Sequence, residues 1–323
     1  MRYLGQRILQ SLILLVGVSV LSFGFIELSP GNFFDEIRLN PRISNETVSK
    51  LRSQYGMDQP LPVRYARWLG SVAKGEFGFS FAYNVPVASL LWPRARNTLL
   101  LTGSAMLLAW MLALPLGILS AGRRNGLIDH ATLLLTAVLL TIPDLLMALG
   151  LLLFALRTRL LPAGGMMSLD AENLSAWKQT RSVAIHLVGP ALVLALASLP
   201  TLIRHTRAAM IEALDSPFVR AARAHGLSPY RILFRHAFPV ALNPLISLFG
   251  LSLGSLLSAS LLTEVLVNWP GLGPLMLEAI LGRDVYVVIG VVLFASAFLM
   301  CGTLLGDVLL FAADPRIRTE KLT

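Results

Sequence analysis

The stretch Phe218–Pro239, FVRAARAHGLSPYRILFRHAFP, decides how this chain is read. It is basic, punctuated by Gly226, Pro229 and Pro239, and set between two strongly apolar runs. Asp215 or Ser216 can cap a helix whose first position is Pro217, where the missing proline N–H costs nothing. Residues 217–225 then form a short helix, and Gly226 supplies the left-handed stop. Ser228 caps a second helix that starts at Pro229 and ends near Pro239. A mere connection between membrane helices has no need for two helical patterns around a Gly-Leu-Ser break. The segment reads as a rigid protrusion held by another protein.

The flanking runs belong to a membrane chain. Of 323 residues, 55% are hydrophobic and 14% charged, whereas soluble domains carry about 25% charged residues. Crossing the hydrocarbon core takes about 20 apolar residues. Six segments satisfy that length, at 8–28, 98–121, 131–156, 186–205, 241–262 and 287–311. The expected fold is therefore all-α, with six transmembrane helices. Pro190 and Pro200 interrupt the fourth span, which is tolerable where neighbouring helices satisfy the freed backbone groups. The apolar run at 8–26 is too long for a signal-peptide core and has no small-residue cleavage site after it, so it reads as a retained first span. The single cysteine, Cys301, excludes an intrachain disulfide framework and is expected to be a small buried hydrophobe.

Lys and Arg in short loops set orientation. With a cytoplasmic N-terminus, the inner side holds Arg2, Arg7, Arg123, Arg124, the six arginines between 204 and 239, Arg316, Arg318 and Lys321. The short outer loops hold only Arg157, Arg159, Lys178, Arg181 and Arg283. Both termini are thus expected in the cytoplasm. The net charge of +9 follows from topology rather than from nucleic-acid binding.

The outer segment 29–97 carries a short helix from Ser44 to Gln54, stopped by Gly56, and a second amphipathic stretch opened by Pro60 and Pro62. Tyr65, Trp68, Leu69 and Val72 share one face of that stretch. It is either part of an extracytoplasmic cap or a helix lying at the lipid surface. The core is expected at 98–314 and a cytoplasmic tail at 315–323. No GxxxxGK[ST] phosphate loop or HExxH motif occurs, and no serine has a base on a neighbouring motif. An intramembrane enzyme is therefore a weak reading.

Ala221, Ala222, Gly226 and Pro239 together resemble the cytoplasmic loop of permeases from bacterial ATP-binding-cassette importers. Arg220 stands where that motif has Glu, and Glu212-Ala213 lies too far from Gly226 to replace it. Phe218 and the Arg-Ala-x-Gly-Leu-Ser form at 223–228 are similar to the dipeptide, oligopeptide and nickel branch, in its B-type subunits. Further matches run in order along the chain. They are Ser29-Pro30-Gly31, Tyr55-Gly56-Met57-Asp58-Gln59-Pro60-Leu61, Gly75-Glu76-Phe77-Gly78-Phe79-Ser80, Thr263-Glu264, Trp269-Pro270-Gly271-Leu272-Gly273, Arg283-Asp284, Asp307 and Asp314-Pro315-Arg316-Ile317-Arg318. Asn32 departs from the branch's Pro-Gly-Asp.

The resemblance implies a multi-pass permease of the bacterial inner membrane. It also implies a second, C-type permease, two ATPases that bind ATP and Mg, and an extracytoplasmic solute-binding protein. The chain itself would bind no cofactor. Residues 217–228 would be the coupling helix lodged in an ATPase groove. Phe218, Arg220, Ala221, Ala222, Arg223, Gly226, Leu227, Ser228 and Pro239 would be its contact and turn residues, with the two alanines permitting close approach. Peptides are the majority substrate of the branch; nickel chelates, glutathione and sugars are alternatives. An ion-driven secondary transporter, with inverted repeats and broken helices converging on a midplane site, is a reading of another class. A structural scaffold would leave the loop spacing unexplained.

Ionisable residues inside spans are costly and often functional. Asp144 follows Pro143 near the middle of the third span, where the branch usually has an apolar residue. It is either a translocation-path residue favouring a cationic group or a structural hydrogen-bond partner of a neighbouring helix. Glu264 is a second candidate for the path, although its place near a span end, like that of Asp307, equally suits anchoring or packing.

Overall fold

In hydrocarbon each backbone N–H and C=O must be satisfied within the protein, which favours helices throughout. The computed structural model describes residues 2–28, 58–168 and 175–313, with only residues 46, 50 and 53 of the 29–57 stretch. The Ser44–Gln54 helix with its Gly56 stop, the motifs at 29–31 and 55–57, and the 314–323 tail therefore lie outside the described residues.

The helices are α1 (Arg2–Leu28), α2 (Leu61–Val72), α3 (Val87–Gly122), α4 (Leu127–Thr141), α5 (Asp144–Thr158), α6 (Ala176–Leu214), α7 (Pro217–Ala224), α8 (Pro229–Leu266), α9 (Leu272–Leu281) and α10 (Val285–Ala313). A two-residue ladder pairs β1 (Phe79–Ser80) with β2 (Val85–Pro86), antiparallel. Among the described residues, α1, α3, α6, α8 and α10 are each long and apolar enough to cross a membrane, and α4 with α5 makes a bent pair. The fold is all-helical and of the membrane class. Helix α3 begins at Val87, well before residue 98, because Val87, Leu91 and Ala95 already bury one face.

The prolines behave in three ways. The expected straight span at 131–156 is broken instead, with α4 and α5 meeting at 93°. Pro143 has no N–H, and its ring drives Ile142 out of helical space to φ −95°, ψ 115°. Pro190 and Pro200 leave α6 continuous over 39 residues. Pro239 does not end a helix either. A π turn at Ile232–Ala237 precedes it, and the helix continues to Leu266. The wider turn accommodates the ring and the lost donor.

The chain forms two compact units, one from 1–98 with 270–297 and the other from 99–269 with 298–323. In the first, Phe23, Trp68, Ile289 and Leu293 form a core, with Tyr65, Leu69 and Val72 packed against it. The aromatic face of α2 is thus buried against protein rather than laid on lipid. Trp68 donates from Nε1 to the Phe77 carbonyl at 3.0 Å, and the hydroxyls of Ser19 and Tyr65 are 2.8 Å apart. The fully buried Asp284 accepts from Ser80 Oγ at 2.6 Å and from the Ala82 N–H at 3.1 Å. Two sequence motifs some 200 residues apart therefore close on each other.

In the second unit, α3, α6 and α8 share a core that includes Trp110, Leu194, Leu202, Leu245 and Trp269. A Cβ on Gly117 would stand 2.6 Å from Thr206 Cβ, so α3 and α6 touch nearly backbone to backbone. Gly250 and Gly306 bring α8 and α10 equally close, with the Cα of Gly306 3.2 Å from where a Cβ of Gly250 would sit. Cys301 is exposed rather than buried. An apolar side chain on a span gains nothing from burial in protein when hydrocarbon already surrounds it.

Candidate functional site

The segment that opened the sequence reading folds as a short helix with two unlike faces. Ser216 precedes α7 with extended backbone, φ −68° and ψ 152°, and Pro217 takes the first turn. The expected side-chain cap is absent, for Ser216 Oγ donates back to the Ala213 carbonyl instead. At the other end the Gly226 N–H reaches the Arg223 carbonyl at 3.0 Å, and the Leu227 N–H reaches the Ala222 carbonyl at 3.3 Å. Gly226 sits at φ +74°. These paired bonds are a Schellman motif, and the left-handed turn is why glycine stands there.

Val219 and Ala222 point inward, 0% and 8% exposed, onto Ile118, Met210, Ile232 and Ala237. Phe218, Arg220, Ala221 and Arg223 point outward. The two alanines thus part company. Ala222 seats the helix on its own chain, while Ala221 belongs to the free face. Arg223 donates to the Leu214 carbonyl at 3.4 Å, and Ser228 is exposed without a capping bond. Beside α7 opens a groove of about 770 Å³. It is lined by Arg123, Arg124, Arg223, Leu227, Tyr230 and Phe234 among others, the last two with rings 4.7 Å apart. Pro239 lies within α8, beyond this groove.

Two residues near this end went unread in the sequence. Arg207 on α6 donates from Nε and Nη2 to both carboxylate oxygens of Asp129 on α4, at 2.7 and 2.8 Å. Asp129 is buried and also takes the Ser120 hydroxyl and, at 2.9 Å, the Asn125 N–H. Arg207 had counted only as inner-side charge, yet its fork holds the start of α4 to α6. The signal was available: an Asp in the first turn of a span needs a partner.

The second candidate lies among the spans. Asp144, the first residue of α5, lines a cavity of about 300 Å³ walled by α5, α6 and α8. Ser198 and Thr201 from α6 and Ser252 and Ser255 from α8 contribute its polar lining. Among the described residues the Asp144 side chain has no hydrogen-bond or ion-pair partner. Glu264 does not join it; its side chain is fully buried in the last turn of α8, outside the cavity lining. The Glu264 carbonyl also accepts the Trp269 N–H at 2.8 Å, turning the chain out of α8.

Comparison with known proteins now places the chain. Residues 113–319 match the family described as binding-protein-dependent transport system inner membrane component, and residues 1–102 match the N-terminal part of such a membrane component. This chain is a member of that family. It is 34% identical over 318 residues to the oligopeptide transport system permease protein AppB of Bacillus subtilis, covering 98% of each chain. It is 31% identical over 323 residues to the dipeptide transport system permease protein DppB of Escherichia coli K12, covering 95% of each. In solved structures, the MetNI methionine ABC transporter in an inward-facing conformation is similar with a TM-score of 0.57 at 19% identity, over 70% of this chain and 96% of that one. That likeness speaks for the fold. As a family member, the chain is a multi-pass membrane permease subunit rather than a catalytic enzyme.

Proposed function

We propose that this chain is the B-type permease of an ATP-driven peptide importer in the bacterial inner membrane. It pairs with a homologous C-type permease to form the path. Two ATPases holding ATP and Mg dock on the cytoplasmic side, and a solute-binding protein delivers di- and oligopeptides from outside. The chain itself holds no cofactor. Both termini lie in the cytoplasm, on the side where Arg123, Arg124, Arg220 and Arg223 gather.

The two-faced helix α7 carries the reading. Its inner face is fixed to α3, α6 and α8, so a push on its outer face moves those spans rather than the helix alone. Phe218 offers an apolar contact to an ATPase groove, and Arg220 and Arg223 offer charge-assisted hydrogen bonds to carboxylates or carbonyls. Arg220 in place of an acidic residue suits an acidic rim on that groove. The names of the relatives favour peptides over nickel chelates, glutathione or other small solutes. A broken span such as α4–α5 is equally expected of an ion-driven carrier; family membership and α7 favour ATP. The complex reconstituted in liposomes with its binding protein should take up a tripeptide only with ATP inside. Uptake driven by an ion gradient without ATP would overturn the reading.

A further inference from the structure

We infer that the cavity beside Asp144 is a transit site for a primary ammonium group, which on the importer reading is the free amino terminus of the peptide. The hydrogen-bonding capacity that the lining leaves open selects the ligand. Ser198 Oγ donates to the Ala195 carbonyl at 3.0 Å, Ser252 Oγ to Phe249 at 2.8 Å, and Ser255 Oγ to Ser252 at 3.0 Å. A hydroxyl has one proton, so these three have spent it on their own helices and present only lone pairs. The Ser252 oxygen faces a donor already, Trp110 Nε1 at 3.2 Å. The carboxylate of Asp144 accepts only. Among the described residues, no Lys, Arg or His lines the cavity. Thr201 alone keeps a hydroxyl proton to donate, so acceptors and one negative charge dominate the lining, which suits a cation rich in N–H donors over an anion.

The broken span sets the charge in place. Ile142 and Pro143 end α4 and start α5, so the exposed Asp144 stands at the positive end of a helix, which favours its carboxylate among apolar spans. Ser198 and Ser255 lie well inside the two longest apolar helices on this path, α6 and α8. The volume equals that of about ten liquid waters, enough for one end of a peptide. Leu194, Leu251 and Leu256 complete the walls without selecting among side chains. Such a site would read a group that all unblocked linear peptides carry and leave their sequences unread.

The test uses the assembled transporter in lipid, with Cys301→Ser removing the native thiol. A Ser198→Cys probe is modified by ammonium-ethyl and by sulfonato-ethyl methanethiosulfonate, each rate divided by its rate with a free thiol. The cationic reagent should react on the order of tenfold faster, as one charge at contact distance implies. Asp144→Asn should bring the ratio near one, and Asp144→Glu should restore it. A ratio unchanged by Asp144→Asn overturns the proposal. Uptake gives an independent reading, because the same binding protein serves every variant. Asp144→Asn should cut trialanine uptake severalfold relative to N-acetyl-trialanine. Equal losses for both peptides would count against the site. Absence of ATP-dependent uptake by the unaltered complex would sink the importer reading, while the labelling ratio would still decide the cavity.

Discussion

Helix α7 and the cavity at Asp144 lie in the same unit and are held by opposite means. Eight consecutive residues, Pro217–Ala224, make the whole of the first, and its own inward side chains Val219 and Ala222 fix it in place. The cavity has no such continuity. Its polar residues arrive from α5, α6 and α8, and it exists only while those helices keep their distances. On the proposed function the helix is a handle that local changes should disable. The cavity is a gap that distant changes in packing should reshape.

The largest effect is expected at the buried contact that ties α4 to α6. Asp129→Asn removes the partner of Arg207 and loosens α4 from α6. Breaking a buried pair costs about 3–5 kcal/mol, and Arg207, with 21% of its side chain exposed, places this case at the low end. The purified protein should melt several degrees lower, with the charge ratio at Ser198→Cys also changed. An unaltered melting point would mean that the pair does not hold these helices.

Ala222→Trp separates the two regions. The site has no room, and overpacking costs about 1–3 kcal/mol, so α7 should leave its seat. ATPase co-purification should fall sharply while the cysteine-labelling ratio at the cavity persists. Loss of both would show that the handle and the gap are not independent. Gly226→Val is milder. A β-branched residue at φ +74° is strained by about 1–2 kcal/mol, which should fray the end of α7 and lower ATP-dependent uptake without lowering the melting point of the spans. Retained uptake would mean that the turn is not needed for force transmission.

The smallest effect concerns the other unit. The Tyr83 hydroxyl donates to Glu278, and burial together with that bond pushes its pKa up to about 12. A tyrosine raised above its unfolded value of about 10 contributes stability that is complete below pH 10 and fades as pH rises towards 12. An ultraviolet titration should show one tyrosine ionising late, and Tyr83→Phe should remove that step. Neither the handle nor the cavity should respond. A changed charge ratio in Tyr83→Phe would break the separation drawn above.

How much was legible in the sequence follows from the same contrast. Pro217 and Gly226 bracket α7 through local backbone chemistry, so its limits were readable to within a residue. Which alanine faced inward was not, since 217–225 alone does not say where α3 and α6 lie. The four aromatic and aliphatic residues of α2 were found by their spacing, and only tertiary contact chose protein over lipid as their cover. Prolines misled in both directions. Pro239 looked like a stop and Pro143 like an interior residue of one span, because the outcome depends on whether the surrounding turns can absorb the ring. Asp144 was legible as an anomaly, but its companions at 198, 201, 252 and 255 were not, for nothing in the chain marks residues that meet only through packing. The Asp129–Arg207 pair was hidden by topology, which had already supplied a reason for every arginine.

The central claim is that α7 meets the ATPase by one face only. Single cysteines at 218, 219, 221 and 222, on a Cys301→Ser background, can be crosslinked by a short bifunctional reagent to the assembled ATPase. The account predicts adducts from Phe218→Cys and Ala221→Cys that change in yield when ATP is added, and none from Val219→Cys or Ala222→Cys. Equal adducts from all four positions, or none from the outward pair in an intact complex, would contradict it.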